Sequence, residues 1–279
     1  MPNCLRQEVG VYLQFYGLNE FPFSVTPDPH FLYFTRHHKE AYDLLLYGIQ
    51  SRKGFMELTG EVGSGKTTLC RGILAALGSD VHTALVVNPA LTGSQLMRAM
   101  LHDFGLPSSN RDRLASIESL NRFLLEKNRL GQNVALFIDE AQNLSPELME
   151  QVRLLSNLET DQHKLIQIVL CGQPELKERL SRPDLRQLRQ RISIRYHLPP
   201  LTFDDTMQYI MHRLTVAGGN GGVTFDAKAV RQVYRYSDGS PRLINAVCDA
   251  ALLAGYAAGM RQIDAKCVER AIQHVSGKL

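Results

Sequence analysis

Continuous apolar runs alternate with segments of helical period as far as Pro200, and beyond it only helical period remains. Gly54 to Thr59 reads as a short apolar strand, followed by an apolar helix from Thr67 to Leu77. Thr83 to Val87 is a second buried strand. Thr92 with Gln95 has the form of a capping box opening a helix to about Phe104, and a further helix spans about Leu114 to Leu130. Asn133 to Ile138 is an unbroken apolar run ending in Asp139-Glu140. Ser145-Pro146 supplies an N-cap and a first-turn proline for a helix to about Leu158. Leu165 to Leu170 reads as a fourth strand, Glu175 to Arg191 as a charged helical stretch, and the alternating Ile192 to Leu198 as a fifth strand. Strands separated by helices imply a mostly parallel sheet with helices on both faces.

After Pro200 four helices are expected, begun by Thr202-x-x-Asp205, Asp226, Ser240-Pro241 and Asp264, with Gly218 to Gly222 as a flexible turn between the first two. At the other end, Met1 to Gly10 shows no periodicity and reads as an extension. His37 to Arg52 has helical spacing. Between them, aromatics alternate with prolines from Tyr12 to Pro29. That pattern predicts an extended arm rather than a helix, either covering a bound base or simply packed into a core. The predicted organisation is an extension (1–10), an α/β nucleotide-binding domain (11–200) and an all-helical lid domain (201–279).

The candidate chemistry starts at Gly60-Glu61-Val62-Gly63-Ser64-Gly65-Lys66-Thr67-Thr68, which fits G-x-x-x-x-G-K-[ST] without mismatch. The glycines let the backbone curl so that successive N–H groups point at a phosphate, and the following helix offers its positive N-terminal end to the same anion. Lys66 then reaches the β- and γ-phosphates and the Thr67 hydroxyl ligates Mg²⁺. Strand, loop and helix in this order predict a P-loop NTPase.

Asp139-Glu140 closes a strand, so a parallel sheet places both carboxylates at its C-terminal edge, as it does the loop. Asp139 is the expected Mg²⁺ ligand and Glu140 the general base for the attacking water. An acidic helix cap is the alternative. Gln173, just past the fourth strand, suits a γ-phosphate or water contact, against an ordinary strand-end turn. Arg186, Arg189 and Arg191 precede the fifth strand, and a guanidinium offered to a neighbouring subunit's nucleotide would stabilise transition-state charge. The alternative there is a solvated basic helix. Arg242 lies in a first helical turn, where a cation opposes the helix dipole. This suggests a role at the γ-phosphate, against that of a surface arginine.

Composition narrows the partners only a little. The chain has 279 residues, 44% hydrophobic, enough for a sizeable core, and a net charge of +3 neither demands nor excludes nucleic acid. Five cysteines without C-x-x-C spacing suit a reducing compartment. No signal peptide is visible at the N-terminus. The most membrane-like stretch, Leu243 to Met260, carries Asn245 and Asp249 and reads better as a buried helix. The nine histidines form no metal-binding spacing, so no zinc site is expected.

Taken together, the phosphate loop, the Asp-Glu strand end, Gln173, the arginines before the fifth strand and Gly239-Ser240-Pro241-Arg242 resemble the AAA+ ATPases. A narrower resemblance rests on Phe15-Tyr16-Gly17-Leu18, Pro22-Phe23, Thr26-Pro27-Asp28-Pro29, Asp139-Glu140-Ala141-Gln142, Leu155-Ser156-Asn157-Leu158-Glu159, Gly172-Gln173-Pro174-Glu175-Leu176 and Leu188-Arg189-Gln190-Arg191-Ile192. These look like the ExeA/GspA family, bacterial ATPases of the general secretion pathway, with relatives in pilus biogenesis and exopolysaccharide loci. The resemblance covers about Val11 to the C-terminus. Secretion-pathway members typically continue into a membrane span and a periplasmic peptidoglycan-binding domain, so this sequence is expected to be either a short family member or the cytoplasmic part of a longer one.

The resemblance implies a sheet order 5-1-4-3-2, Gln173 as sensor 1, Arg242 as sensor 2 and Arg191 as the arginine finger. It further implies ATP and Mg²⁺ as ligands and a homo-oligomeric ring, expected to be a hexamer; the adenine pocket is expected from Tyr12, Phe15, Tyr16 or Leu18, with Tyr16 and Leu18 taken as the candidates. The expected setting is the cytoplasm, peripheral to the inner membrane, with an inner-membrane envelope-assembly protein as partner in type II secretion, pilus or exopolysaccharide export. The alternative function is a DNA-binding regulator of the transposase-partner type, motivated by the basic run Lys177, Arg179, Arg182, Arg186, Arg189, Arg191 and Arg195.

Overall fold

The apolar runs become the strands of one parallel sheet. The computed structural model of the chain describes residues 11–87, 91–107, 113–160 and 163–277. Its elements are α1 (Val11–Tyr16), α2 (Arg36–Gln50), β1 (Phe55–Gly60), α3 (Lys66–Ala76), β2 (Val81–Val86), α4 (Gly93–Asp103), α5 (Arg113–Arg129), β3 (Asn133–Ile138), α6 (Pro146–Leu155), β4 (Gln167–Gly172), α7 (Pro174–Leu180), α8 (Arg186–Arg191), β5 (Ile192–Leu198), α9 (Phe203–Val216), β6 (Thr224–Phe225), α10 (Ala227–Ser237), α11 (Pro241–Ala257), β7 (Gln262–Ile263) and α12 (Ala265–Val275). Short 3₁₀ turns lie at Pro29–Phe31, Ala141–Asn143 and Pro183–Leu185.

These residues divide into two compact units. The described residues of the first fall in Met1–Thr35, Val62–Thr68 and Pro199–Leu279, and those of the second in Arg36–Glu61 and Leu69–Leu198.

The second unit holds the sheet, in the order β2-β3-β4-β1-β5 with every pair parallel, the order that the family resemblance implies. Strands β1, β3 and β4 are buried along their whole length. Because side chains alternate along a strand, each feeds two cores. Leu136, Ile138, Ile168 and Leu170 pack with Leu96, Leu120 and Leu148 on one face. Phe137, Val169 and Cys171 pack with Leu45, Leu69 and Ile73 on the other. Each such buried Leu or Ile contributes about 1.5–3 kcal/mol of transfer free energy. The register sets Thr59 beside Gly172 and Leu170 beside Ile138, so the strands ending in Gly60, Ile138 and Gly172 finish along one sheet edge.

The first unit is built on its own core. Tyr16, Phe23, Phe31, Ile210, Val233, Ile244, Val247, Leu252 and Val268 are fully or nearly fully buried there. Three of the four helix starts expected after Pro200 are capped by their side chains: Thr202 and Asp205 make a reciprocal capping box, and Asp226 and Asp264 accept the N–H groups of Ala229 and Cys267. The membrane-like stretch forms most of α11, with Ile244, Val247, Cys248, Ala251 and Leu252 buried in this core. Among the described residues no helix is long and apolar enough to cross a membrane.

Several expectations need correction. Residues 11–16 are helical, not extended: the first proline after them is Pro22, so nothing interrupts the turn until Gly17 ends it at φ +68 with Leu18 N–H donating to the Leu13 carbonyl at 2.8 Å. The fourth strand runs two residues later than its apolar run suggests. Gln167, with no exposed surface, begins it by bonding the Gly54 N–H at 2.7 Å and the Lys164 carbonyl at 3.0 Å. The charged stretch 175–191 is broken at Pro183 into α7, a 3₁₀ turn and α8. The Gly218–Gly222 turn is packed tight. A Cβ on Gly222 would stand 2.1 Å from the Tyr16 carbonyl oxygen, so contact rather than chain freedom demands glycine there. The C-terminal helices also carry an unexpected parallel pair, β6 with β7. The extension 1–10 lies outside the described residues.

Candidate nucleotide site

β1 runs straight into the phosphate loop, and α3 begins at Lys66, so the lysine opens the helix as its motif requires. Gly63 and Gly65 take φ +77 and +96, a region that costs other residues about 1 kcal/mol or more. Ser64 and Lys66 are buried, with their side chains 3.5 Å apart, while Glu61 and Val62 are exposed.

In the same unit, the first turn of α11 lies against this loop. The Arg242 N–H donates to the Gly63 carbonyl at 3.4 Å, and the Ser240 hydroxyl to that of Val62 at 3.3 Å. A Cβ on Gly63 would come 2.5 Å from Arg242 Cβ, so the loop glycine is needed for packing as well as conformation. Ser240, expected to cap α11, makes no side-chain cap bond. The Arg242 side chain is exposed.

At the sheet edge of the second unit, Asp139 follows β3 and is 3% exposed. Its Oδ1 accepts the Glu140 N–H at 2.9 Å, and its own N–H donates to the Val86 carbonyl. Glu140 sits at φ +51, ψ +36 before a 3₁₀ turn whose N–H groups its side chain does not cap. Glu140 Oε2 instead accepts two amides, from Gln142 Nε2 at 2.5 Å and Gln173 Nε2 at 3.1 Å. Gln142 Oε1 closes the set by accepting the Gln173 N–H at 3.1 Å. The Arg179 guanidinium donates to the carbonyls of Gln142 and Leu144, tying the turn to α7.

The sequence singled out Asp139, Glu140 and Gln173, counted Arg179 only in a basic run, and gave no role to Gln142. The signal was an amide two residues beyond Glu140, a spacing that meets the carboxylate only because the chain turns left-handed at Glu140.

The remaining candidates are placed otherwise. Arg191 is held by its own chain, with Nη1 donating to Ser156 Oγ and, at 2.6 Å, to Asn157 Oδ1. Arg186 and Arg189 are exposed. Tyr16 is 0% exposed, with its hydroxyl donating to the Leu252 carbonyl at 2.9 Å, and Leu18 is buried in the same core. A ring with no exposed surface offers a base nothing to stack on, so the packing alternative describes both residues.

The residues present fit a magnesium nucleotide. In the first unit a glycine cradle at a helix N-terminus, a buried lysine and a threonine hydroxyl are donors such a ligand takes, and in the second unit the buried Asp139 carboxylate is by itself another. Among the described residues no group of three or more His, Cys, Asp or Glu could hold a metal ion.

Comparison with known proteins agrees with this frame. The family described as AAA domain matches residues 49–180. General secretion pathway protein A of Aeromonas hydrophila is 46% identical over 268 residues, 96% of this chain and 49% of that protein, so the chain spans about half the length of this relative. Among solved structures, Cdc6p of Pyrobaculum aerophilum superposes with a TM-score of 0.66 at 15% identity over 94% of this chain and 71% of that one. The Thermotoga maritima RuvB Holliday junction branch migration motor gives 0.58 at 19% identity over 91% and 73%. At such identities the likeness shows the fold alone. Sheet order, domain match and the extended identity lead to one assignment: this chain is a GspA/ExeA-like AAA-domain protein.

Proposed function

We propose that the chain binds ATP with Mg²⁺ and hydrolyses it, and that this turnover assists assembly of a bacterial envelope machine at the inner membrane. The observation that carries the hydrolytic reading is Glu140: it lies two residues beyond β3, and its carboxylate is held by two side-chain amides instead of capping a helix. The envelope role rests on the 46% identity to general secretion pathway protein A.

Bound ATP and Mg²⁺ would supply the phosphoryl group and the charge that screens its oxygens. The loop N–H groups and the start of α3 bind phosphate, and Lys66 neutralises it. Thr67 and Asp139 hold the cation. Glu140 takes the proton from water, and Gln173 orients it. Arg242 senses the γ-phosphate beside the loop that its own backbone contacts, and Arg191 acts on a neighbouring subunit of a homo-oligomeric ring. The DNA-regulator reading is less well supported. Of its basic run, Arg179 and Arg191 bond to their own chain, while Arg182 and Arg195 pair with Asp184 and Glu57.

Steady-state hydrolysis and nucleotide titration test the proposal. Lys66→Ala is expected to lose ATP binding. Glu140→Gln is expected to bind ATP and lose roughly 10²-fold or more in kcat. Unchanged turnover in Glu140→Gln would overturn the hydrolytic reading. A rate that jumps with double-stranded DNA and collapses with salt would replace the envelope role with DNA binding.

A further inference from the structure

Four observations meet at Gln142, a residue given no role so far. Its side chain is 9% exposed. Its Nε2 donates to Glu140 Oε2 at 2.5 Å, and its Oε1 accepts the Gln173 N–H at 3.1 Å, so one amide bridges the end of β3 to the end of β4. It lies directly over Gly172, where an added Cβ would stand 2.7 Å from Gln142 Oε1. Its carbonyl is gripped by Arg179, which also holds Leu144. The amide can therefore neither flip nor swing away without breaking contacts on both sides. A flip would set Oε1 against the carboxylate and Nε2 against an N–H donor.

We infer that Gln142 is the positioning residue for Glu140. It fixes Oε2 and leaves Oε1 to take the proton from water. Glu140 lies in the left-handed region, which costs a glutamate about 1 kcal/mol, and an unrestrained side chain on such a turn would sample several rotamers. The Gln142 amide removes that freedom in advance. Misplacing a reacting group by about 1 Å costs on the order of 10² in rate, which makes a single positioning bond visible in kcat. Gln173 shares Glu140 Oε2 at the longer distance of 3.1 Å, so it can turn toward a ligand while Gln142 keeps hold. The inference rests on the hydrolytic reading above.

The test uses Gln142→Met, which keeps the volume but neither hydrogen bond, and Gln142→Glu, which keeps the acceptor for the Gln173 N–H but replaces the donor by a charge that repels Glu140. Gly172→Ala displaces the amide while leaving it chemically intact, and because its Cβ also meets the buried Leu176 at 2.9 Å its kcat is read beside its Tm. All three are measured beside wild type and Glu140→Gln for kcat, KM, nucleotide affinity and Tm. Expected is a roughly tenfold to hundredfold fall in kcat for both Gln142 variants, with nucleotide affinity within about twofold of wild type and Tm little changed, and the same direction in Gly172→Ala. Glu140-dependent turnover that ignores both Gln142 variants overturns this inference alone. So does a loss confined to KM, affinity or Tm. Turnover indifferent to Glu140 itself overturns the hydrolytic reading, and this inference with it.

Discussion

Glu57 is a carboxylate in the middle of β1, 4% exposed, beside an arginine whose Nε is 3.4 Å from its Oε2. Burial pushes its pKa up, and the charges of Arg195 and Lys177 pull it back only in part. The folded chain therefore keeps this proton at pH values where the unfolded chain has released it. Stability from this group is present in acid and is lost as pH rises from the ordinary carboxylate range through the raised folded value. Glu57→Gln is expected to raise Tm at about pH 8 and to lose that advantage toward about pH 4, read by thermal melts across the range. A lower Tm for the variant at the alkaline end would mean that the Arg195 pair outweighs burial. At this scale the sequence hid what mattered: Glu57 reads as one polar letter in an apolar run, and Gln142 as one amide in a turn. Nothing in the letters says that one is sealed in a sheet and the other wedged over a glycine.

Two serines at helix starts have the same sequence signature, Ser-Pro, and do different work. Ser145 Oγ accepts the Leu148 N–H at 3.2 Å and caps α6, whereas Ser240 makes no cap bond and donates instead to the Val62 carbonyl. Ser145→Ala is expected to cost about 1 kcal/mol in denaturant unfolding. Ser240→Ala is expected to cost less than half of that, and to weaken nucleotide binding by about two- to tenfold through the loop, by titration. Equal stability costs with unchanged affinity would contradict the distinction. Most elements were legible because their signals are local. Asn133–Ile138 and Ile192–Leu198 begin and end as their apolar patterns say, and the Thr92–Gln95 box forms with both of its bonds. The helix at Val11–Tyr16 and the break at Pro183 were local signals misread, but the remaining failures needed distant partners. The start of β4 depends on Gln167 reaching Gly54. β6 and β7 are two residues each, too short to show a period, and pair across 36 intervening residues from Phe225 to Gln262.

For the whole molecule, the sheet order rested on resemblance, since five parallel strands can be wound in more than one order and no single run says which. The proposed ring would be a matter between copies of the chain. Arg191 is engaged by Ser156 and Asn157 of its own subunit, so it is oriented before any neighbour arrives. The expected result is a hydrolysis rate per subunit that rises with protein concentration in wild type and stays low and flat in Arg191→Ala. Nucleotide affinity and Tm should be little changed in the variant at low concentration. A concentration-independent wild-type rate would place the whole catalytic set within one subunit.

The carbonyls of Val62 and Gly63 are given over to the first turn of α11. A phosphate settling in that loop must share its backbone with a helix drawn from the far end of the chain. Linkage then runs both ways: a protein that grasps the C-terminal helices and shifts α11 would change the affinity for nucleotide by the same factor by which nucleotide changes the affinity for that protein. Such a partner would be, in thermodynamic terms, an allosteric effector of nucleotide binding.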